Sequence, residues 1–287
     1  MSKKYLISFA SPDLKLSVTR YKEQAKKLNF YDQIDVYGIN DLEPYYKNLI
    51  INYIKKGKKI GFGYWFWKPL IIIQKLKTIK YGDIINYTDI GCHFNEFGKD
   101  RLNYYINKLK NSNKGILGFQ YKPLDGYDKK KFEFPEITES KYTKSDLFDY
   151  LEVIKRNDIV STPQYWAGNI FLIKNDFSIS FLEQWTNVFR YRFDLVDDTP
   201  SKISNFKNFI SNKHDQSVYS LLCKIHDIDT ISAYECEWFY SEGVRYWNHT
   251  KNMPIIARRD KKYNILKRFI NRQKKTFNRF YHKIFKN

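Results

Sequence analysis

Five consecutive residues, Ile84-Ile-Asn-Tyr-Thr88, are apolar or strand-favouring, with turn chemistry on both sides: Gly82-Asp83 before them and Asp89-Ile-Gly91 after. A short uninterrupted run of this kind suits a strand buried on both faces, as occurs where helices cover a mostly parallel sheet. The run ends directly in Asp89, and Gly91 permits a sharp backbone exit. In open α/β sheets ligands gather at the carboxyl ends of strands, so an acid here points toward a site. Taken alone, Asp-x-Gly is equally an ordinary turn with Asp89 as its cap.

The residues on either side supply the rest of such a sheet. Lys4 to Ala10 reads as a strand and Ser11-Pro12-Asp13 as a turn. Leu14 to Leu28 reads as a helix, with Leu14, Val18, Tyr21, Ala25 and Leu28 at helical spacing. Ile34 to Gly38 is a second strand and Asp41 to Ile54 a second helix. Strands and helices alternating over short connections specify a doubly wound sheet. Further helices are expected over Arg101–Leu109, Ser145–Ile154 and Phe177–Arg190, and strands over Gly115–Phe119, Ile228–Ala233 and the end of Gln164–Ile173. Lys122 to Glu139 is rich in Pro, Asp, Gly and Lys, which predicts a loop that acts as a lid.

A chain of 287 residues can bury a core, and 43% hydrophobic with 18% aromatic residues excludes global disorder. Cys92, Cys223 and Cys236 have neither zinc nor disulfide spacing, which suits a reducing compartment. No run approaches the roughly 20 apolar residues that span a bilayer, and Tyr5–Ala10 is too short for a signal peptide. The formal charge of +19 raises nucleic acid as a partner, but no nucleic-acid-binding motif accompanies it and none is expected to bind. The charge is concentrated instead: residues 258–287 hold twelve Lys and Arg against one acid, Asp260. In that stretch Leu266, Ile270, Phe277, Phe280 or Tyr281, and Ile284 fall near helical spacing. The chain therefore divides into a domain over 1–257 and a tail over 258–287. The tail is expected to form a basic amphipathic helix on an anionic membrane surface.

Three blocks carry chemistry. Gly61-Phe-Gly-Tyr-Trp-Phe-Trp-Lys-Pro69 leads into a helical run, Leu70 to Ile79, and Pro69 suits its first turn. Lys68 beside the free N–H groups of a helix start suits an anion such as a diphosphate, and Trp65 and Trp67 suit stacking on a base or sugar. The second block is Gly82 to Gly91. The third, His214-Asp-Gln-Ser217, opens a helix, where Asp215 alone reads as a capping residue. Tyr246 to Pro254 places His249 and Lys251 in a loop.

In their order and spacing these blocks resemble the nucleotide-diphospho-sugar glycosyltransferases of the GT-A fold. More narrowly, they resemble a bacterial family that decorates capsule or lipooligosaccharide, with G-x-G-Y-W-x-W-K-P, then G-D-x-x-x-Y-x-D-x-G, then H-D-Q-S. The resemblance extends from about Tyr5 to Pro254. It implies a Rossmann-like α/β fold with a mixed, mostly parallel sheet flanked by helices. The implied activity is transfer of a sugar from a nucleotide-diphosphate sugar to a hydroxyl of a lipid-linked surface glycan, at the cytoplasmic face of the membrane. Asp89 takes the place of the first acid of an Asp-x-Asp motif, and Asp215 that of an acceptor-side carboxylate. Donor contacts are expected from Trp65, Trp67, Lys68, Asn169, Gln216 and Lys251. His249 resembles a late metal-ligating histidine, so Asp89 and His249 are the candidate ligands of Mn²⁺ or Mg²⁺. Gly91 stands where the pattern has its second acid, and Lys68 with the helix start is the alternative means of neutralising a leaving diphosphate. A basic nucleic-acid-binding protein and a noncatalytic sugar-binding protein of the same fold are the rival classes.

Overall fold

Side-chain alternation along the strands sets the architecture. The computed structural model describes residues 2–128 and 130–258, so the expected tail helix lies outside the described residues apart from Arg258. In chain order the strands are β1 (Lys4–Phe9), β2 (Gln33–Tyr37), β3 (Ile84–Thr88), β4 (His93–Phe94), β5 (Ile116–Gln120), β6 (Phe132–Glu133), β7 (Asn169–Ile173), β8 (Asp229–Ser232), β9 (Phe239–Ser241), β10 (Val244–Tyr246) and β11 (Ile255–Ile256). Six of them form one sheet in the order β2-β1-β3-β7-β5-β8. β7 runs antiparallel to both of its neighbours, and the other pairings are parallel. Five strands therefore point one way, and the expected mixed, mostly parallel sheet is present.

Tyr5, Ile7 and Phe9 of β1, with Ile85 and Tyr87 of β3, face a core shared with the helices Pro44–Lys55, Trp67–Thr78, Asp176–Tyr191 and Asp215–Ile225. Leu6, Ile84, Leu117 and Phe119 face the opposite core, under the helices Lys15–Leu28 and Lys99–Lys110. Helices on both faces explain why the strands read as apolar runs. The helix Trp67–Thr78 lies between the sheet and Asp176–Tyr191, so Leu70, Ile71 and Ile72 on successive faces are all buried. This burial fixes where the helix starts, and with it Lys68.

Two expectations change. The helix from Ser145 stops at Tyr150, and Glu152 turns left-handed at φ 59°. The expected lid over 122–139 is not a plain loop. Phe132 and Glu133 form β6, which pairs with β9 in a second sheet of order β10-β9-β6. Phe132 and Phe134 pack on the Phe239 ring at 5.6 and 4.6 Å, and the Tyr234 hydroxyl donates to the Pro135 carbonyl. Aromatic anchors inside a polar stretch outweigh its loop-like composition. The carboxyl ends of β1, β3 and β5 and the amino end of the reversed β7 open at one edge of the main sheet.

Candidate active site

A cavity of about 750 Å³ occupies that edge. Phe9 enters it from the end of β1 and Ser11 just beyond, Asp89 after β3, Tyr121 after β5, and Trp166 and Gly168 just before β7. Asp89 is oriented from three sides. The Tyr87 hydroxyl donates to its Oδ1 at 2.6 Å, its own N–H donates to the Gly168 carbonyl at 2.9 Å, and its carbonyl accepts from the Cys92 N–H at 2.9 Å. Tyr87 is itself fully buried, so the acid is held by a fixed donor.

Lys68 reaches the cavity floor from the first turn of the helix Trp67–Thr78. Only 3% of the residue is exposed. Its Nζ donates to the Ala167 carbonyl at 3.0 Å and lies 2.6 Å from Asp215 Oδ2 and 3.4 Å from Asp89 Oδ1. One ammonium thus joins the acid of the second block to the acid of the third. The Asp215 contact is a short ion pair between two buried side chains. Burial pulls the Lys68 pKa down, but Asp215 and Asp89 outweigh it, so the ammonium is held above its ordinary range. Burial pushes the Asp215 carboxyl up against the opposing pull of Lys68. A carboxylate with a raised pKa is a stronger base, the property a proton acceptor at neutral pH needs.

The wall beside this floor has unusual backbone. Gly61, Phe62, Gly63, Tyr64 and Trp65 take φ values of 53°, 56°, 91°, 54° and 61°, making one left-handed turn. Each non-glycine residue there costs roughly 1–2 kcal/mol, so Phe62, Tyr64 and Trp65 together store several kcal/mol. Packing holds the turn. A Cβ on Gly61 would meet the Trp65 indole at 2.3 Å, the Trp67 indole N–H donates to the Gly61 carbonyl, and the Tyr64 hydroxyl donates to Asp198. Trp65 stacks on the His214 ring at 5.7 Å and 20°. His214 is also strained, at φ 57° and ψ −118°, immediately before Asp215. Strained backbone persists where surrounding structure over-determines it, and it concentrates at functional sites.

Of the residues expected from the sequence, Asp89, Asp215, Lys68, Trp65, Trp67 and Gln216 line the one cavity. Trp67 is stacked against Phe9 at 4.2 Å and is nearly closed off, so Trp65 offers the more open indole. Gln216 donates to Gln164 at 2.8 Å. Asn169 does not line the cavity; it is fully buried behind it, its Oδ1 accepting from Asn86 at 2.9 Å. Lys251 also lies outside the lining, with an exposed side chain and a carbonyl that accepts from Asn95.

Neither ring nitrogen of His249 meets Asp89. Nε2 faces the carbonyls of Tyr234 and Glu237 at 2.7 and 3.0 Å and therefore carries the hydrogen, while the buried Nδ1 has no hydrogen-bond partner. The ring sits among Phe239, Tyr246 and Tyr127, and burial lowers its pKa, which keeps it neutral. Among the described residues no group of three His, Cys, Asp or Glu is placed to hold a metal ion. The donor set of Asp89 with His249 does not fit a divalent cation in this arrangement, because the late histidine belongs to the second sheet's packing. Tyr87, Trp166, His214, Lys59 and Lys213 are site residues that sequence reasoning left without a role. The tyrosine and histidine stand inside the motif blocks, and Trp166 adjoins the small turn; the two lysines had no local signal.

No family model matches the sequence, and no curated protein matches it. Among solved structures the chain is similar to a glycosyltransferase involved in the glycosylation of the major capsid of PBCV-1. Identity there is 11%, over 88% of this chain and 92% of that one, with a TM-score of 0.47. It is also similar to mouse xyloside xylosyltransferase 1 in its apo form, at 9% identity over 80% of this chain and 84% of that one, with a TM-score of 0.39. Likeness at this level assigns neither activity nor substrate.

Proposed function

We propose that the protein is a glycosyltransferase that moves a sugar from a nucleotide-diphosphate sugar to an acceptor hydroxyl. The observation that carries this is the Asp89–Lys68–Asp215 floor, with Lys68 and Asp215 buried and Asp89 open to the cavity, at the carboxyl edge of the sheet beneath aromatic walls. Such a floor presents carboxylate oxygens that accept from sugar hydroxyls, and indole faces that pack on the apolar face of a pyranose. Asp215, with its raised pKa, takes the proton of the acceptor hydroxyl, and Asp89 orients the transferred sugar. No step is routed through a metal ion, since the Asp89 and His249 donors are not assembled.

The test is release of nucleoside diphosphate from a panel of UDP-, GDP- and other nucleotide-sugar donors. Wild type is expected to turn over at least one donor, and Asp89→Asn to lose that turnover with its fold intact. Equal turnover by the two proteins would remove the assignment.

The acceptor is proposed to be a lipid-linked glycan of a bacterial surface polymer, reached from the cytoplasmic face of the membrane through the basic tail 258–287. Support comes from the tail's composition, in which each basic residue near an anionic surface contributes roughly 1 kcal/mol. No helix among the described residues is long and apolar enough to cross a membrane. Full-length protein should float with anionic vesicles at low salt, and a version ending at Ala257 should not. Flotation of both alike would take the membrane role from the tail.

A further inference from the structure

We infer that the floor and the rim of the cavity divide the donor between them: Asp89, Lys68 and Asp215 meet the sugar, and Lys59 with Lys213 meets the diphosphate. This rests on the glycosyltransferase reading and departs from the sequence-based expectation that Lys68 contacts phosphate. Lys68 is committed to two carboxylates and the Ala167 carbonyl. With all three side chains ionised the floor carries one net negative charge. Such a floor repels a diphosphate and suits neutral hydroxyls, which both donate to carboxylates and accept from an ammonium.

Among the described residues, the other lysines that line the cavity are Lys59 and Lys213. They come from segments far apart in sequence, and the Trp65–His214 stack ties those segments together. Lys59 stands two residues before the left-handed turn that presents Trp65, and Lys213 directly precedes His214. Lys59 is exposed to solvent, and Lys213 extends over the Tyr142 ring at 4.7 Å. The strained turn thus has a consequence for binding: it fixes the approach of one lysine's segment to the other's. Lys68 is then a positioning residue that holds both carboxylates, and its loss acts on turnover more than on phosphate affinity.

Calorimetric titration of pyrophosphate and of UDP and GDP, in buffer with EDTA, separates these roles. Wild type is compared with Lys59→Gln/Lys213→Gln and with Lys68→Met, each checked for folding by circular dichroism. The double variant is expected to bind pyrophosphate and the preferred nucleoside diphosphate about tenfold or more weakly, and with less sensitivity to salt. Lys68→Met is expected to keep nucleotide affinity within about threefold while donor turnover falls about a hundredfold. Should Lys68→Met not fold, the double variant still decides. Unchanged affinity in the double variant overturns this inference and leaves the functional reading standing. Failure of wild type to bind any of the three probes overturns this inference as well, while the functional reading stands or falls on the donor panel.

Discussion

Lys224 and Lys68 each turn an ammonium inward onto carboxylates and backbone carbonyls, in networks built differently. Lys224 pairs with Glu139 at 2.8 Å in a closed network, in which Glu139 also accepts from Thr143, Gln164 and Ser220 and is wholly inaccessible. Lys68 pairs with Asp215 and Asp89 in an open one, where the half-exposed Asp89 faces the cavity. The pKa directions follow. Burial outweighs the single Glu139 and lowers Lys224, whereas two carboxylates outweigh burial and raise Lys68. A satisfied network clamps the chain, here joining the turn at Gln164 to the helices at Glu139 and Ser220. An open one leaves a carboxylate, here Asp89, within reach of a ligand.

The comparison breaks if the two networks respond alike to substitution. Asp215→Asn should lower transfer by about 10²–10⁴-fold, the range for removing a general base, with melting temperature little changed. Little change is expected because Lys68 keeps Asp89 and the Ala167 carbonyl as partners. Glu139→Ala should do the reverse. Removing one partner of a closed buried pair costs about 3–5 kcal/mol, read as a lowered denaturant midpoint, with donor affinity retained in the fraction that folds. Activity loss without destabilisation in Glu139→Ala would erase the distinction.

A smaller effect sharpens the picture at the wall. Gly61→Ala places a methyl group against the Trp65 indole in a left-handed position, and should cost about 1–3 kcal/mol in stability. Its nucleotide affinity should fall as well, since the same indole ties the two rim segments together. Calorimetry and thermal melting on one sample check both.

The smallest effect is expected at His249. Its pKa in the folded protein is lowered from 6.5 by burial, so the folded state takes up its proton later than the unfolded state does. Its contribution is complete above about pH 6.5 and is lost as pH falls through the interval below. His249→Gln should flatten that part of the stability profile without altering EDTA-treated turnover. A steeper profile in the variant would contradict the neutral, carbonyl-bound ring.

Much of this was legible locally. The strand Ile84–Thr88 and its terminal acid, the helix after Lys68 and the helix at Asp215 all depend on patterns of a few residues, and all three lie where their blocks suggested. The bond between the blocks was not legible, because Lys68 meets Asp215 across 147 positions only once the sheet and the helix Trp67–Thr78 have packed. The same reason hid the β6 pairing of Phe132 and the placement of His249 in an aromatic cluster of the second sheet. The glycines of the first block hinted at tight backbone, but three non-glycine residues in left-handed conformation are a result of tertiary packing, which propensity does not encode.

The most direct test of the central claim is a crystal structure of the Asp215→Asn protein with the intact donor that the panel identifies. The account predicts the sugar ring on the floor within hydrogen-bond distance of Asp89, between the Trp65 and Trp166 indoles, with the diphosphate directed toward Lys59 and Lys213. A donor whose sugar lies away from Asp89 and position 215, or one bound outside this cavity, would contradict it.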